Sequence, residues 1–284
     1  MKYRHSFHAG NFADVHKHVA LLALLRALKR KDKGFLFLDT HAGRGSYDLS
    51  SPSAEAQGGV LRFMQAPQEA PELRDYATLL KELRLLPGRR HVYPGSPLIA
   101  AAELRAQDRA VLIELQGTEA RALEQAVAAL PGSDRAARVQ VERGDGFERL
   151  RAFLPPTERR ALTLIDPPYE ESRQDFTQVS TALQEALRRF PTGVVAAWYP
   201  IKDERRTAAW LSACVRALAA PVLVSELWLY ARDARVALNG SGLLIVNPPW
   251  LMLERMRVWL PQLQATLAVG SAGGNSARLL RSAA

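Results

Sequence analysis

The chain has 284 residues, of which 48% are apolar, so it is long enough for one large domain with an insertion or for two small domains. A formal charge of +9 favours a polyanionic partner such as a nucleic acid, although charge alone does not identify one. The single cysteine excludes an intrachain disulfide, and neither a signal core nor an apolar run near the ~20 residues of a membrane span is present. We therefore expect a cytoplasmic protein with no membrane partner.

Four of the six histidines lie in the first 18 residues. His5 and His8 accompany Tyr3 and two basic residues in a segment that is expected to be an exposed basic arm. The pairs His5-x-x-His8 and His16-x-His18 have spacings that zinc ligands use, but no cysteine or carboxylate cluster accompanies them. We therefore expect no metal site.

A helix is predicted from residue 15 to residue 31. Asn11, with Asp14 three positions later, has the pattern of a helix N-cap. His18 shares a helical face with three leucines at i+3, i+7 and i+10, so it should face inward, whereas Lys17 should point elsewhere.

The first convincing strand, residues 35–39, ends in Asp39 and is followed by a loop at 40–45 that contains two glycines. Small residues after a strand let the backbone approach a ligand closely, and a strand-end acid can hold hydroxyls. Helical patterns at about 54–66 and 71–85 then predict a helical insertion at 50–93. The delayed crossover helix should begin at Ser96, which is expected to be its N-cap.

Strands and helices alternate regularly after the insertion, which predicts an α/β fold with a largely parallel sheet. The last two strands should form an antiparallel hairpin, and the Gly-, Ser- and Ala-rich residues 269–284 should be a flexible tail. The predicted strands are 110–113, 138–142, 161–165, 194–198, 221–230 and 241–247, and the predicted helices are about 118–130, 146–153, 173–189 and 203–219.

The most informative stretch is Asp166-Pro167-Pro168-Tyr169, which ends the strand 161–165. Ligands of open α/β sheets bind beyond the carboxyl ends of strands, so these residues should lie at the rim of a site. The Asp166 carboxylate and the Pro167 carbonyl can accept hydrogen bonds from an exocyclic amine, and Tyr169 offers a ring on which a base can stack. The pattern is typical of methyltransferases that act on amino groups.

Acids at two other strand ends suit a nucleoside cofactor. Glu114 is placed to bind ribose hydroxyls, and Asp145 with the N–H of Gly146 is placed to bind the adenine edge. His18 and His41 either line the same pocket or are buried core histidines, and their positions favour neither interpretation.

The same four-residue pattern recurs at Asn247-Pro248-Pro249-Trp250. Counting strands from the glycine loop, Asp166 ends the fourth strand, which neighbours the cofactor strand in the usual methyltransferase order. Asn247 ends the last strand of the hairpin. We therefore assign catalysis to Asp166 and a structural or substrate-flanking role to residues 247–250.

Several longer motifs together resemble the bacterial RlmJ family, whose members methylate N6 of one adenine in 23S ribosomal RNA. The resemblance runs from Tyr3 to about Trp250. The motifs are YRHSFHAGN at 3–11, LDTHAG at 38–43, YPGSPL at 93–98, DGF at 145–147, DPPYE at 166–170, WYP at 198–200 and NPPW at 247–250.

This resemblance implies a Rossmann-like class I methyltransferase core at 1–49 and 94–268, with S-adenosylmethionine as cofactor, S-adenosylhomocysteine as product and 23S ribosomal RNA as partner. We expect a monomeric enzyme without a metal. Asp166 would be catalytic with Pro167 and Tyr169. Tyr3 and Lys17 are expected to contact the RNA. If Arg44 of the glycine loop stands where relatives have a small residue, its side chain must point away from the cofactor. The expected cofactor contacts are His18, His41, Ser96, Glu114, Asp145, Gly146 and Asp166.

Two other functions share these features. A DNA adenine methyltransferase needs the same chemistry, since nothing in the DPPY motif senses a 2′-hydroxyl. A non-catalytic RNA-binding protein could retain the fold, but the intact strand-end acid and glycine loop argue against it.

Overall fold

The computed structural model describes residues 9–84, 90–131, 138–169, 172–234 and 236–281. Tyr3, His5 and His8 of the predicted arm lie outside the described residues. The helices are α1 (Phe12–Lys29), α2 (Ala54–Ala56), α3 (Arg62–Gln65), α4 (Pro71–Arg84), α5 (Ser96–Glu103), α6 (Gly117–Ala128), α7 (Gly146–Phe153), α8 (Ser172–Arg189), α9 (Glu204–Ala217) and α10 (Met252–Leu267), with a π-helical turn (Gln57–Leu61) between α2 and α3. The strands are β1 (Leu36–Asp39), β2 (Ser46–Asp48), β3 (Val92–Pro94), β4 (Arg109–Glu114), β5 (Val139–Arg143), β6 (Ala161–Ile165), β7 (Val194–Ile201), β8 (Val222–Trp228), β9 (Gly240–Val246) and β10 (Gly274–Arg281).

The centre of the fold is an eight-stranded sheet in the order β10-β8-β9-β7-β6-β1-β4-β5. Strands β5, β4, β1, β6 and β7 pair in parallel, and β9 runs antiparallel between β7 and β8. The predicted α/β class, the parallel core and the antiparallel hairpin are confirmed. The carboxyl ends of the parallel strands share one edge of the sheet, which we call the catalytic edge, and their amino ends share the other, which we call the amino edge.

The pairing of β6 with β1 places Asp166 beside the glycine loop. Asp39 lies opposite Leu164 in this pairing, and the backbone N–H of Thr40 donates to the Leu164 carbonyl over 3.0 Å. Asp166 therefore leaves the sheet next to the chain that enters the loop at 40–45. The prediction that the fourth strand of the parallel series, β6, lies next to the strand before the glycine loop, β1, is confirmed.

Helix α1 is buried on almost every side, although a helix with one inward face was predicted. Asn11 is its N-cap as expected and accepts from the backbone N–H of Asp14 over 2.9 Å. Fifteen of the 18 helix residues are buried because α1 is enclosed by β9, α4, α5 and α10. His18 faces inward as predicted, and Lys17 points elsewhere, towards Asp166, but it is buried as well.

The region where the insertion was predicted contains α2, the π-helical turn, α3 and α4, between the paired strands β2 and β3. Its buried side chains, including Phe63 and Leu80, belong to the same apolar cluster as Leu21 and Leu25 of α1. The crossover helix α5 follows this region, and its N-cap lies one residue earlier than predicted. Gly95 is its N-cap and Ser96 is its first residue, which leaves the Ser96 hydroxyl free for another contact.

The C-terminal region contains two elements that the sequence patterns did not reveal. Helix α10 packs Met256, Trp259 and Leu263 into the core beside α1. Strand β10 pairs antiparallel with β8, so the expectation of a flexible tail is wrong for residues 274–281. Arg278 anchors this strand, since its guanidinium lies 2.6 Å from the buried carboxylate of Glu226.

The second proline motif lies at the opposite edge of the sheet from Asp166. Because β9 is antiparallel to β7, Val246 pairs with Val195 near the start of β7, and Asn247 emerges at the amino edge. Its side-chain amide donates to the carbonyls of Pro191 and Gly193, each over 2.8 Å. This position supports the assignment of a structural role to Asn247.

Candidate active site

Asp166 lies at the catalytic edge and is paired with a buried cation. One carboxylate oxygen is 2.5 Å from Nζ of Lys17, and the same ammonium lies 2.9 Å from Asp14. The Asp166 side chain keeps 13% of its surface exposed, whereas that of Lys17 keeps 5%. Asp166 is therefore the member of this cluster that a substrate can reach.

The charge of Lys17 is held by its two carboxylates. Burial opposes the charged form, but Asp14 and Asp166 outweigh it and raise the pKa of the amine above its ordinary value. The ammonium also lies 5.6 Å from the centre of the Trp198 ring. Since Lys17 is inside the protein, its expected contact with RNA is restricted to a nucleotide inserted at Asp166 and stays a prediction.

Tyr169 closes the inner side of the site. Its hydroxyl donates to the Trp198 carbonyl over 2.6 Å, and its ring packs on Phe176 and Trp198 with centroid separations of 5.1 and 5.5 Å. The residue is 7% exposed. Stacking of a base on this ring therefore requires a shift of the surrounding aromatic residues, and it stays a prediction, as does the role of the Pro167 carbonyl.

Asp39 is a fully buried acid between the glycine loop and Asp166. It accepts from the Ser96 hydroxyl over 2.7 Å and from the backbone N–H of His41 over 3.2 Å. Burial raises the pKa of Asp39 to about 7; the Ser96 hydrogen bond opposes this shift, and Asp166 adds to it. The structure thus places Ser96 as a partner of Asp39, at the base of the predicted cofactor pocket.

The two histidines predicted at the cofactor occupy different settings. His41 lies on the glycine loop, its ring 2.8 Å from the Thr40 hydroxyl and in edge contact with Phe147, and burial lowers its pKa to about 4. His18 is buried in α1, where its Nδ1 bonds the Tyr93 hydroxyl over 2.8 Å. His41 is thus at the loop itself, whereas His18 is tied to the insertion.

The glycine loop and Glu114 fit a nucleoside ligand. Gly43 and Gly45 have φ values of 62° and 76°, which favour glycine. Glu114 accepts from the backbone N–H groups of Gly43 over 2.9 Å and Gln116 over 2.7 Å, and each oxygen retains a lone pair for a ribose hydroxyl. Arg44 points away, with its guanidinium 3.3 Å from Glu119, as a bound cofactor would require.

Asp145 and Gly146 form the N-terminus of α7 at the neighbouring strand end. The Asp145 carboxylate accepts from the backbone N–H groups of Phe147 and Glu148 and is the helix cap. A Cβ on Gly146 would lie 1.8 Å from the Thr40 carbonyl oxygen. Glycine is therefore required here, because α7 approaches the glycine loop directly.

Carboxylates at the ends of β4 and β5 beside a glycine loop match the ribose and adenine of S-adenosylmethionine, and an acid with the DPPY motif follows on β6. Fold and site together define a class I S-adenosylmethionine-dependent methyltransferase of the type that modifies amino groups. No group of three or more potential metal-binding side chains occurs among the described residues. In the same part of the chain, no helix combines the length and apolar character needed to cross a membrane.

Comparisons with known proteins specify the family. The family model "Ribosomal RNA large subunit methyltransferase D, RlmJ" matches residues 32–280. The chain is 38% identical over 277 residues to the ribosomal RNA large subunit methyltransferase J of Escherichia coli and to that of Haemophilus influenzae, with 96% of each chain covered. A crystal structure of a Legionella pneumophila protein is 34% identical, with a TM-score of 0.83 over 95% of this chain and 98% of that one. The chain belongs to the RlmJ family of ribosomal RNA large subunit methyltransferases.

Two site features were missed by sequence reasoning. The pairing of Lys17 with Asp166 joins residues that are 149 positions apart, although the i,i+3 spacing of Asp14 and Lys17 gave a local signal. The contact of Tyr93 with His18 spans 75 positions and had no local signal.

Proposed function

We propose that this protein transfers a methyl group from S-adenosylmethionine to N6 of a specific adenine in 23S ribosomal RNA. The observation that carries the proposal is the position of Asp166, which ends β6 beside the glycine loop and remains partly exposed. The 38%-identical relatives that are named as ribosomal RNA large subunit methyltransferases support the choice of substrate. Such a substrate implies a cytoplasmic enzyme.

When bound, the cofactor would supply an electrophilic methyl group by cleavage of its S–CH3 bond and leave as S-adenosylhomocysteine, so the task of the protein is to present the amine. The lone pair of adenine N6 is delocalised into the ring, and a hydrogen bond from N6–H to the Asp166 carboxylate orients and polarises that nitrogen. As the new N–C bond forms, positive charge develops on N6, and Asp166 stabilises it. The excess N6 proton then leaves to Asp166 or to water.

Lys17 holds Asp166 in place for this task. The ammonium is nearly buried, contacts one oxygen of Asp166 and is fixed from the other side by Asp14. A carboxylate restrained in this way presents its remaining lone pairs in a defined direction. The partner Asp14 lies in the first turn of α1, so that helix sets the geometry of the catalytic edge.

RNA contacts next to the target nucleotide are assigned to the N-terminal arm. Tyr3 and the basic residues around it precede α1, whose first turns carry Lys17 to Asp166. We propose that Tyr3 contacts RNA next to the target nucleotide, and that removal of residues 1–8 weakens RNA binding more than cofactor binding.

Methyl transfer from labelled S-adenosylmethionine tests the function directly. Deproteinised 23S ribosomal RNA, assembled large subunits and adenine-containing duplex DNA should be compared at equal concentrations. Label in N6-methyladenosine of one rRNA position is the expected result. Preferential labelling of DNA would identify a DNA adenine methyltransferase, and cofactor and RNA binding without transfer would identify a non-catalytic RNA-binding protein.

A further inference from the structure

Among the residues that the structure describes, positive charge is not concentrated at the catalytic edge. Among the described residues, the segments that follow β1, β4, β5, β6, β7 and β8 hold three basic and four acidic side chains. The described segments that lead into β1, β4, β6 and β7 hold six basic and three acidic side chains. The described residues of the amino edge, which faces away from Asp166, therefore attract a polyanion more strongly than those of the catalytic edge.

The basic segments of the amino edge form one continuous surface. Arg160, before β6, donates to the Leu28 carbonyl over 2.6 Å and also to the Lys33 carbonyl. Arg105, before β4, donates to the Lys31 carbonyl over 3.0 Å. Burial lowers the pKa of Arg160, the nearby Arg105 lowers it further, and Asp108 opposes the shift. The hydrogen bonds of Arg160 and Arg105 join the segments that precede β1, β4 and β6.

Helix ends alone do not explain this charge. Basic side chains are favoured at helix C-termini, and Lys29 and Arg189 are of this kind, since they pair with Glu103 and Glu185. In contrast, Arg30, Lys31, Lys33 and Arg159 follow the helix ends, are exposed, and form no ion pair with another described residue. These four cations are available to an external anion.

The same edge presents a rigid, exposed tryptophan. Trp250 is 81% exposed and is preceded by two prolines. Asn247 anchors its loop to the carbonyls that precede β7, and both Asn247 and Leu251 have positive φ values, 51° and 62°. A large aromatic ring held in this way is suited to stacking on an unpaired base, because little conformational entropy is lost on binding.

We propose that Arg30, Lys31, Lys33, Arg159 and Trp250, the basic platform, form a second RNA-binding site that engages ribosomal RNA away from the target adenine. The cations bind backbone phosphates, and Trp250 stacks on an unpaired base. This inference rests on the proposed function, since it takes ribosomal RNA as the polyanion. A long substrate would then contact both edges of the sheet, whereas a short one would reach only the catalytic edge.

The test compares a long and a short substrate. K31E/K33E and W250A should be assayed on full-length deproteinised 23S ribosomal RNA and on a short RNA hairpin that contains the target adenine. K81E/R121E is the matched control, because both residues are exposed and lie on α4 and α6. The control should have the same kcat/KM as the wild type on both RNAs.

We expect K31E/K33E to lose about tenfold or more in kcat/KM on 23S ribosomal RNA, with a salt slope shallower by about 2, and to keep its activity on the hairpin. W250A should weaken binding of 23S ribosomal RNA by about 5-fold to 100-fold. Equal losses on both RNAs, or no loss on the long one, would overturn the proposal. Weakened binding only to assembled subunits would also overturn it, since the partner would then be a ribosomal protein.

Binding measurements keep this inference separate from the proposed function. Anisotropy of labelled 23S ribosomal RNA fragments reports on the basic platform without any methyl transfer. If the wild type bound RNA through the platform but transferred no methyl group to it, the proposed function would fail and the second site would stand. If transfer were normal and the platform variants bound RNA like the wild type, only the second site would fail.

Discussion

Lys17 and Asp166 are separated by 2.5 Å between the ammonium nitrogen and a carboxylate oxygen, at the point where α1 meets the end of β6. The contact makes the first helix of the chain a part of the catalytic edge. Asp14 is the second anchor of the same ammonium at 2.9 Å, so the three charges form a nearly buried unit with a net charge of −1.

Replacement of Lys17 by methionine should separate the structural and functional parts of this unit. Loss of the cation leaves two carboxylates without compensation, so the free energy of unfolding should fall by about 3–5 kcal/mol and turnover should fall with it. Adding Asp14→Asn removes one of these charges and should restore part of the stability, but turnover should remain low because Asp166 still lacks its partner. Urea unfolding and single-turnover methylation measure the two effects, and recovery of both in the double variant would show that Lys17 is only structural.

Substitutions of Asp166 distinguish a hydrogen-bond acceptor from an obligatory proton acceptor. Asparagine preserves a carbonyl acceptor for N6–H but cannot usefully accept a proton. Asp166→Ala should abolish turnover, whereas Asp166→Asn should retain measurable single-turnover activity with cofactor binding largely preserved. An asparagine variant that binds cofactor yet is as inactive as the alanine variant would indicate that proton transfer to Asp166 is required.

Glu114 and Asp145 should be needed for cofactor affinity. Alanine at either position should weaken S-adenosylmethionine binding by about 10-fold to 100-fold in calorimetry, because a hydrogen bond to a charged group is lost. Asp145→Ala should also cost about 1 kcal/mol of stability through the lost cap of α7. Alanine at the exposed neighbour Glu148 is the control and should leave the affinity unchanged. Unchanged affinity in both the Glu114 and the Asp145 variants would refute the assignment.

Strand order and local patterns predicted where most of the candidate site residues lie in the fold, and the errors have identifiable physical causes. Asp166 was distinguished from Asn247 by strand counting, which works because parallel strands share one catalytic edge. The burial of Lys17 was missed because helical periodicity assumes one solvated face, whereas α1 is enclosed on nearly all sides. Strand β10 was missed because residues 269–277, which include its first half, are mostly Gly, Ser and Ala, and its stability comes from pairing with β8 and from Arg278 on Glu226.

Acid should destabilise the protein through His16. The imidazole is fully buried between the hydroxyls of Ser225 and Ser241, each 2.9 Å away, and burial lowers its pKa to about 3. The folded state keeps His16 neutral while the unfolded chain takes up a proton below pH 6.5, so this stability is complete above pH 6.5 and is lost as the pH falls towards 3. The loss amounts to about 4–5 kcal/mol at most.

The measurement for His16 is the pH dependence of urea unfolding between pH 8 and pH 4. His16→Gln keeps hydrogen-bonding groups but does not titrate, so its stability should fall less steeply with acid than that of the wild type. His91→Gln, at an exposed histidine, should follow the wild-type curve. Parallel curves for all three proteins would contradict the role of His16.

Gly146 should be intolerant of any side chain. A Cβ at this position would lie 1.8 Å from the Thr40 carbonyl oxygen, so Gly146→Ala must push α7 away from the glycine loop. We expect a loss of about 3 kcal/mol or more in the free energy of unfolding, together with weaker S-adenosylmethionine binding, since Asp145 and His41 flank the contact. Gly58→Ala is the control, because a Cβ there meets nothing within 4 Å and should be neutral or stabilising by about 0.5–1 kcal/mol. Equal stability of Gly146→Ala and the wild type would contradict this close contact between α7 and the loop at 40–45. Cofactor affinity should then be unchanged as well.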